Sequence, residues 1–264
     1  MTHDHEGDAN PAEARLRALV QQRVLDAELA ALLWLLVEAR IPVLVAGPPI
    51  PARDAVRAAL LDLLPVDARP IVLAGADEEF EWMPEATELG WRRERAAVAD
   101  AGVRARASAA TAVLVADLDD GPAGTWGARA RVAIRSLALG YGMLATTTGD
   151  GLEAVLRRLA APPVAAADDE LSRIGVVLAL GETPSGPRAI AAHYLRPVAR
   201  DEHGHVQRLP PAVLATWDAA GDRFEHFAWG IAGELASRSG RRPIEHEREQ
   251  ARRAGRLGDG IRAP

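Results

Sequence analysis

Hydrophobic residues along the chain switch repeatedly between helical and strand-like spacing. From Pro11 to Arg40, leucine and valine recur every three or four residues, which predicts one long amphipathic helix stopped by Pro42. The next apolar run, Val43–Ala46, is short and uninterrupted, as in a strand buried on both faces of a sheet. Runs of both kinds then follow in turn. The predicted strands are residues 43–46, 70–74, 112–116, 143–147 and 175–180, and the predicted helices are about 52–64, 126–139 and 151–159.

This alternation predicts an α/β fold whose sheet is mostly parallel, with helices on both faces. The pattern changes after Gly181. Residues 188–198 and 205–209 predict an antiparallel hairpin with Gly204 at its tip, and a helix is predicted at about 224–237. At the two ends we expect a disordered leader, residues 1–11, and an arginine-rich tail, residues 240–264, that is mobile or ordered only by a partner.

Composition narrows the class of protein. The 264 residues are 48% hydrophobic and 26% charged, as in soluble globular proteins. A net charge of -6 disfavours nucleic acid as a partner. The chain has no cysteine, so it forms neither disulfides nor thiolate metal sites. It also lacks an apolar stretch of roughly 20 residues and a signal-peptide pattern, so we expect a cytoplasmic protein.

Lysine is absent from the chain. All 31 residues counted as lysine plus arginine are arginine. An arginine-rich, alanine-rich composition is typical of a GC-rich genome, but the chemical consequence does not depend on the cause. No lysine can act in catalysis or bind phosphate in this protein.

The segment between the first strand and its helix occupies the place of a phosphate-binding P-loop. Such a loop needs glycines, a lysine that reaches the β- and γ-phosphates, and a hydroxyl that binds Mg²⁺. Here the first glycine is Gly47, but Ala52 stands at the second glycine, Arg53 at the lysine and Asp54 at the hydroxyl. The segment therefore has the position and first glycine of a P-loop but lacks its second glycine, its lysine and its hydroxyl.

The remaining residues of this loop weaken it further. Pro48, Pro49 and Pro51 have no N–H groups in a loop whose function is to donate them. The planar fork of Arg53 is larger than an ammonium group, and Asp54 adds a negative charge where phosphates would lie. These substitutions predict weak or absent nucleotide binding.

Several longer segments carry a family resemblance in order and spacing. They read LLWLLVEARIPVLVAGPP, AALLDLLP, RPIVLAGADEEFE, AVLVADLDD, LALGYGMLATTTGD and RAIAAHYLRPVARDEHGHVQRL. Over residues 28–230 the chain resembles the RecA-like domain of the type II/type IV secretion and pilus-assembly ATPases. The resemblance implies a RecA-like P-loop three-layer sandwich with a C-terminal β-hairpin and helical extension. It places this domain at residues 12–239, with 12–40 as the leading helix, and implies a degenerate, truncated member that lacks the family's larger N-terminal domain.

The resemblance also implies roles for acidic residues. Asp117 takes the place of the family's Walker B glutamate, where it could position a metal ion or a water molecule. Asp77 and Glu78 keep the charge of the family's acidic motif. Two positions at which the family has histidine are occupied by Tyr141 and Thr148.

The function implied is that of a catalytically degenerate, ATPase-like partner protein that does not hydrolyse ATP. We expect it to form a homo-oligomer, or a hetero-oligomer with an active secretion-type ATPase, and at most to be peripheral to a membrane machine. The alternative is a weak NTPase that uses Arg53 and Asp117. ATP and Mg²⁺ would be cofactors only in that case.

Simpler interpretations of the loop stay open. Arg53 and Asp54 could be solvated side chains in an ordinary first helical turn, where an acid is favourable and a base is not. A small anion could instead bind at Gly47–Arg53.

Two groups of residues could bind metal ions. Asp117, Asp119 and Asp120 follow a strand and could form a Mg²⁺ cluster, although a solvated loop is the simpler interpretation. His203 and His205 flank the glycine of the predicted hairpin, but no third ligand is apparent nearby. We therefore expect no metal site at the histidines.

Overall fold

The structure is a computed structural model that describes residues 11–48, 50–92, 106–200 and 206–259. The helices are α1 (Pro11–Gln21), α2 (Ala27–Glu38), α3 (Pro51–Leu61), α4 (Ala128–Ser136), α5 (Leu152–Ala160), α6 (Asp168–Leu171), α7 (Ala232–Arg238) and α8 (Pro243–Gly258). The strands are β1 (Val43–Ala46), β2 (Arg69–Val72), β3 (Ala112–Asp117), β4 (Gly142–Thr147), β5 (Val176–Thr183), β6 (Gly186–Tyr194), β7 (Ala199–Arg200), β8 (Val206–Gln207), β9 (Ala212–Asp218) and β10 (Arg223–His226).

An eight-stranded sheet organises the molecule, with strand order β10-β9-β6-β5-β1-β4-β3-β2. The strands from β5 to β2 in this order are parallel to one another, and β6, β9 and β10 extend the sheet in antiparallel fashion. Because crossover helices join the parallel strands, their carboxyl ends lie at one edge of the sheet. The loop after β1 and the loop after β3 therefore open on the same side, with β4 between them.

The apolar residues of β1 show why the sheet is covered on both faces. Val43 and Val45 pack into a core with α1, α2, α3, α7 and α8. Leu44 and Ala46 point the other way and pack with α4, α5 and α6. The predicted α/β class, with a mostly parallel sheet between two helical layers, is confirmed, and each of the five predicted parallel strands is present.

The predicted leading helix is two helices. A turn at residues 22–26 separates α1 from α2, with Arg23 in the left-handed region at φ 61°. Asp26 begins α2 by accepting a hydrogen bond from the Leu29 amide at 2.9 Å. Apolar spacing continues across this turn, so periodicity alone could not reveal the N-cap. Residues 29–37 of α2 are all buried.

The antiparallel region differs from its prediction. β6 pairs with β5 through a turn at residues 184–185 and with β9 on its other side. β7 and β8 form only a small separate ladder, and Gly204, the predicted hairpin tip, lies outside the described residues. The predicted helix at 224–237 begins instead as β10, and α7 starts at Ala232. β6 is largely apolar, so pairing inside the sheet buries more surface than a free hairpin would.

The expectation of a mobile C-terminal tail is wrong for residues 243–258. They form α8, which packs against α2 with Leu257 fully buried. The guanidinium carbon of Arg253 lies 4.4 Å from the ring centre of Trp34, and its Nη2 is 2.9 Å from Glu38. Arg253 and His246, which a hydrophobicity pattern counts as polar, are two of the three buried side chains of α8.

Parts of both ends of the chain lie outside the described residues. Residues 1–10 of the predicted leader and residues 260–264 lie outside the described residues, while Pro11 begins α1. None of the helices that the structure describes is long and apolar enough to cross a membrane.

Candidate functional site

The predicted phosphate loop lies where β1 ends at the carboxyl edge of the sheet. Gly47 is buried there, and a Cβ atom at this position would come within 2.8 Å of the Leu180 carbonyl oxygen on β5. Glycine is therefore required by the close approach of two strands. This packing role accounts for Gly47 without any ligand.

The amide groups of the loop are already used within the protein. Gly47 N–H donates to the Thr147 carbonyl at 3.1 Å, and Ile50 N–H donates to the carbonyl two residues before it at 2.7 Å. Arg53 N–H donates to the Ile50 carbonyl at 3.0 Å. Since the three prolines have no N–H, only the Ala52 amide in residues 47–53 is left without an assigned backbone acceptor. A phosphate group would find no cradle of free donors here.

Arg53 turns inward from the first turn of α3 and is 6% exposed. Its Nη1 lies 3.1 Å from Asp119 Oδ2 and 3.4 Å from Thr148 Oγ1. Its Nη2 lies 3.6 Å from Asp117 Oδ1. The Arg53 side chain therefore binds the acidic segment after β3.

Asp119 joins this arginine to a second one. Its carboxylate accepts hydrogen bonds from the Thr148 amide at 2.9 Å, from Thr148 Oγ1 at 3.0 Å and from Arg158 Nη1. Arg158 comes from α5, donates to the Leu118 carbonyl at 3.2 Å and lies 4.1 Å from the ring centre of Trp126. We call this arrangement of Arg53, Asp119 and Arg158 the central ion-pair network.

The pKa values of the two acids of this segment are shifted in opposite directions. Burial raises the pKa of Asp117, and the neighbouring charge of Asp119 raises it further against the opposing hydrogen bond from Thr146. Burial acts on Asp119 in the same direction, but the Thr148 amide and the Arg158 guanidinium together bring the pKa of Asp119 below its ordinary value. Asp119 is therefore the acid held in its charged form, and it neutralises the arginines.

The other predicted loop residues behave differently from Arg53. Asp54 is exposed and forms a 3.3 Å ion pair with Arg57 one turn away, as in an ordinary first helical turn. Ala52 packs against the core. The interpretation of Arg53 as a solvated side chain is wrong, because a charged acceptor lies next to it inside the protein.

The residues of the predicted acidic motif follow β2, the strand that pairs with β3. Glu78 is buried and accepts hydrogen bonds from Ala74 N–H at 2.9 Å, Phe80 N–H at 2.8 Å and Trp82 Nε1 at 3.2 Å. Asp77 is exposed. Glu78 thus organises the loop that contains it.

The possible Mg²⁺ cluster of Asp117, Asp119 and Asp120 has no support in the geometry. Asp119 is engaged by two arginines, and Asp120 is exposed. Across the described ranges, no three histidine or acidic side chains are grouped to hold a metal ion. His203 and His205 lie outside the described residues.

The sequence pattern missed Arg158 and Trp126, which complete the network from α5 and from the loop before α4. One signal could have indicated a partner: two acids, Asp117 and Asp119, follow a buried strand, and a buried carboxylate needs a cation or several donors. The pattern did not show which of the arginines would supply the charge.

The chain was compared with known proteins. No protein-family model matches it, and no curated protein matches it. Among solved structures it is similar to the crystal structure of the VirB11 ATPase from the Brucella suis type IV secretion system in complex with sulphate, with 19% sequence identity and a TM-score of 0.44. The match covers 70% of this chain and 57% of that chain. This distant likeness concerns the arrangement of helices and strands and assigns no role to any residue.

Proposed function

We propose that this protein is a catalytically degenerate, secretion-ATPase-like protein that acts by its shape in an assembly and does not hydrolyse ATP. The observation that supports the proposal is the position of Arg53. Its guanidinium, which stands at the position of the nucleotide-binding lysine, is buried and paired with Asp119 and Asp117.

Nucleotide binding would have to dismantle this network. A phosphate that took Arg53 as its partner would leave Asp119 with Arg158 and Thr148, and would leave Asp117 without its nearby positive charge. The loop offers few amides in return, because three of its positions are proline and the Gly47, Ile50 and Arg53 amides already donate to carbonyls. Removing one member of a buried ion pair costs about 3–5 kcal/mol, which weighs against binding.

The alternative function, a weak NTPase, has one feature in its favour. The Asp117 side chain is 33% exposed at the carboxyl edge of the sheet, and its pKa is raised, as in a general base. This alternative predicts phosphate release that disappears in Asp117→Asn.

Two measurements on the purified chain separate these functions. Calorimetric titration with Mg-ATP is expected to show no saturable binding, and a phosphate-release assay is expected to stay at the buffer rate. A dissociation constant below about 100 μM, equivalent to roughly 5.5 kcal/mol, would overturn the proposal. Asp117→Asn and Asp54→Asn serve as a matched pair: turnover lost in the first and kept in the second would establish the NTPase.

The assembly role is tested by the molecular mass of the protein in solution and by its effect on a partner ATPase. We propose a homo-oligomer, or a hetero-oligomer with an active secretion-type ATPase at a membrane machine. Light scattering measures the mass of the chain alone, and the ATPase rate of an intact secretion ATPase from the same organism is measured with and without the chain. A monomer that leaves this rate unchanged and does not co-migrate with the enzyme would contradict the assembly role.

A further inference from the structure

A cavity lies at the edge of the sheet opposite the loop after β1. Its volume is about 250 Å³, and it opens at the amino ends of β1, β4 and β5. Arg40 precedes β1, Arg173 precedes β5, and Arg238 ends α7. Tyr141, just before β4, supplies an aromatic wall. Three arginines line this cavity, and none of its lining residues is acidic.

Arg40 is held in an unusual backbone conformation. It has φ 56°, in the left-handed region, at the position after the end of α2. Its amide donates to the Val37 carbonyl at 2.8 Å, and the Ile41 amide donates to the Leu36 carbonyl at 2.9 Å, which is the Schellman pattern of helix ends. Glycine occupies this position at least cost, because a side chain is strained there. The backbone at this position therefore does not explain why the residue is arginine.

The Arg40 guanidinium has no partner that satisfies it. Its Nη1 is buried without a hydrogen-bond acceptor, a costly state for a charged donor. A cation near the end of α2 is favourable in itself, yet no helix carbonyl within the described ranges accepts from this guanidinium. Arg173 and Arg238 are exposed at the rim, and within the same ranges they too form no ion pair.

Neighbouring acids do not neutralise the cavity, because they are committed to other groups. These pairs are Glu38 with Arg241 and Arg253, each at 2.9 Å, Glu85 with the Tyr141 hydroxyl at 2.9 Å, Glu170 with Arg135 at 2.7 Å, and Glu234 with Arg196 at 3.0 Å. Three positive charges therefore share one opening with no carboxylate assigned to them.

We propose that this arginine cavity, formed by Arg40, Arg173 and Arg238, binds a phosphate-type oxyanion, free or as the end of a small molecule. Guanidinium groups bind phosphate oxygens in pairs through their planar fork. The cavity has the room of about eight water molecules, enough for inorganic phosphate or pyrophosphate. Arg40 would hold the anion from the buried side, and the two rim arginines would close around it.

Thermal unfolding with inorganic phosphate and with pyrophosphate tests the proposal, each against sodium chloride at equal ionic strength. The Tm of the wild type is expected to rise with either anion and to level off at high concentration. An equal response to chloride would overturn the proposal, because it would show general screening of charge. Titration by phosphorus NMR gives the affinity and separates free phosphate from a preference for the longer anion.

Arg40→Gly is the sharpest variant. Because glycine suits the backbone at this position, the variant is expected to keep the wild-type Tm in chloride, or exceed it, and to lose the phosphate response. The double variant Arg173→Gln with Arg238→Gln should lose most of the response, whereas Arg157→Gln, an exposed arginine outside the cavity, should keep it. A full response in Arg40→Gly would refute the site.

ATP titrations of Arg40→Gly and of Arg53→Gln distinguish this proposal from the pseudo-ATPase proposal. ATP binding that is lost in Arg40→Gly and kept in Arg53→Gln would place the phosphates in the arginine cavity. ATP binding with the opposite dependence would place them at the loop after β1.

Discussion

Asp119 is the acid on which the central ion-pair network depends. Asp119→Asn keeps the size of the side chain and removes the negative charge that Arg53 and Arg158 share. One carboxamide oxygen can still accept a hydrogen bond, but the amide nitrogen would face a guanidinium group, donor against donor. We expect a large loss of stability without loss of the fold.

The magnitude follows from the burial of the groups. The side chains of Arg53 and Asp119 are 7% and 13% exposed, and breaking such a pair by removing one partner costs about 3–5 kcal/mol. Arg158 is 29% exposed and can regain water, and Asp117, 3.6 Å from Arg53, offers some compensation. The lower end of the range, about 3 kcal/mol, is therefore expected.

Urea unfolding followed by circular dichroism at pH 7 measures this loss as a lower midpoint at unchanged slope. Asp120→Asn is the matched control, since Asp120 is exposed one residue away, and its cost should be within about 0.5 kcal/mol. In a double-mutant cycle, the stability loss of the Asp119→Asn, Arg53→Met double variant should be smaller than the summed losses of the two single variants by at least about 1 kcal/mol. Equal costs for Asp119→Asn and Asp120→Asn would refute the reasoning.

Three further predictions concern contacts elsewhere in the fold. Although burial opposes it, the 2.7 Å contact with Asp26 raises the pKa of His226, so this pair adds stability below about pH 6.5 and loses it as pH rises through the raised pKa. His226→Gln should therefore cost about 1 kcal/mol at pH 6 and less at pH 8.5, measured by urea unfolding. Arg253→Ala should cost about 2–4 kcal/mol, because it removes a buried cation from Trp34 and Glu38. Glu78→Gln should cost about 2 kcal/mol and alter the near-ultraviolet spectrum of the loop tryptophan that it binds.

The Arg253 and Glu78 predictions each have a control variant, and the His226 prediction is compared with the wild type at each pH. Arg252 pairs with the same glutamate as Arg253 but is 56% exposed, so Arg252→Ala should cost less than about 1 kcal/mol. Asp77→Asn changes an exposed acid next to Glu78 and should be nearly silent. The pH comparison uses the difference between variant and wild type, in which the other histidines cancel. A loss in His226→Gln that grows with pH would contradict the assigned direction of its pKa.

The centre of the sheet was predictable because local signals agreed there. Val43–Ala46 is a four-residue apolar run followed by Gly47, and Pro51 suits the first turn of a helix. Both the strand and the start of α3 follow from such signals. The direction of the Arg53 side chain did not, because it depends on Asp119, which is 66 residues away in the sequence.

Two regions, the break before α2 and the helix α8, were predicted wrongly because the hydrophobic pattern of the sequence did not indicate them. The break before α2 depends on Asp26, a single N-cap within a continuous apolar pattern. The packing of α8 depends on Arg253 and His246, whose buried faces a hydropathy pattern reads as polar. The first case is a short-range cap within an apolar pattern, and the second is a set of long-range contacts.

The cover of α2 by α8 has a consequence for folding during synthesis. Glu38 and Arg253 are 215 residues apart, so at the usual rate of about 5–20 residues per second the ribosome makes α8 roughly 10–40 s after α2. During that interval the outer side of a very apolar helix has no cover from its own chain. A nascent chain of this protein should therefore recruit a chaperone early and release it only when α8 has emerged.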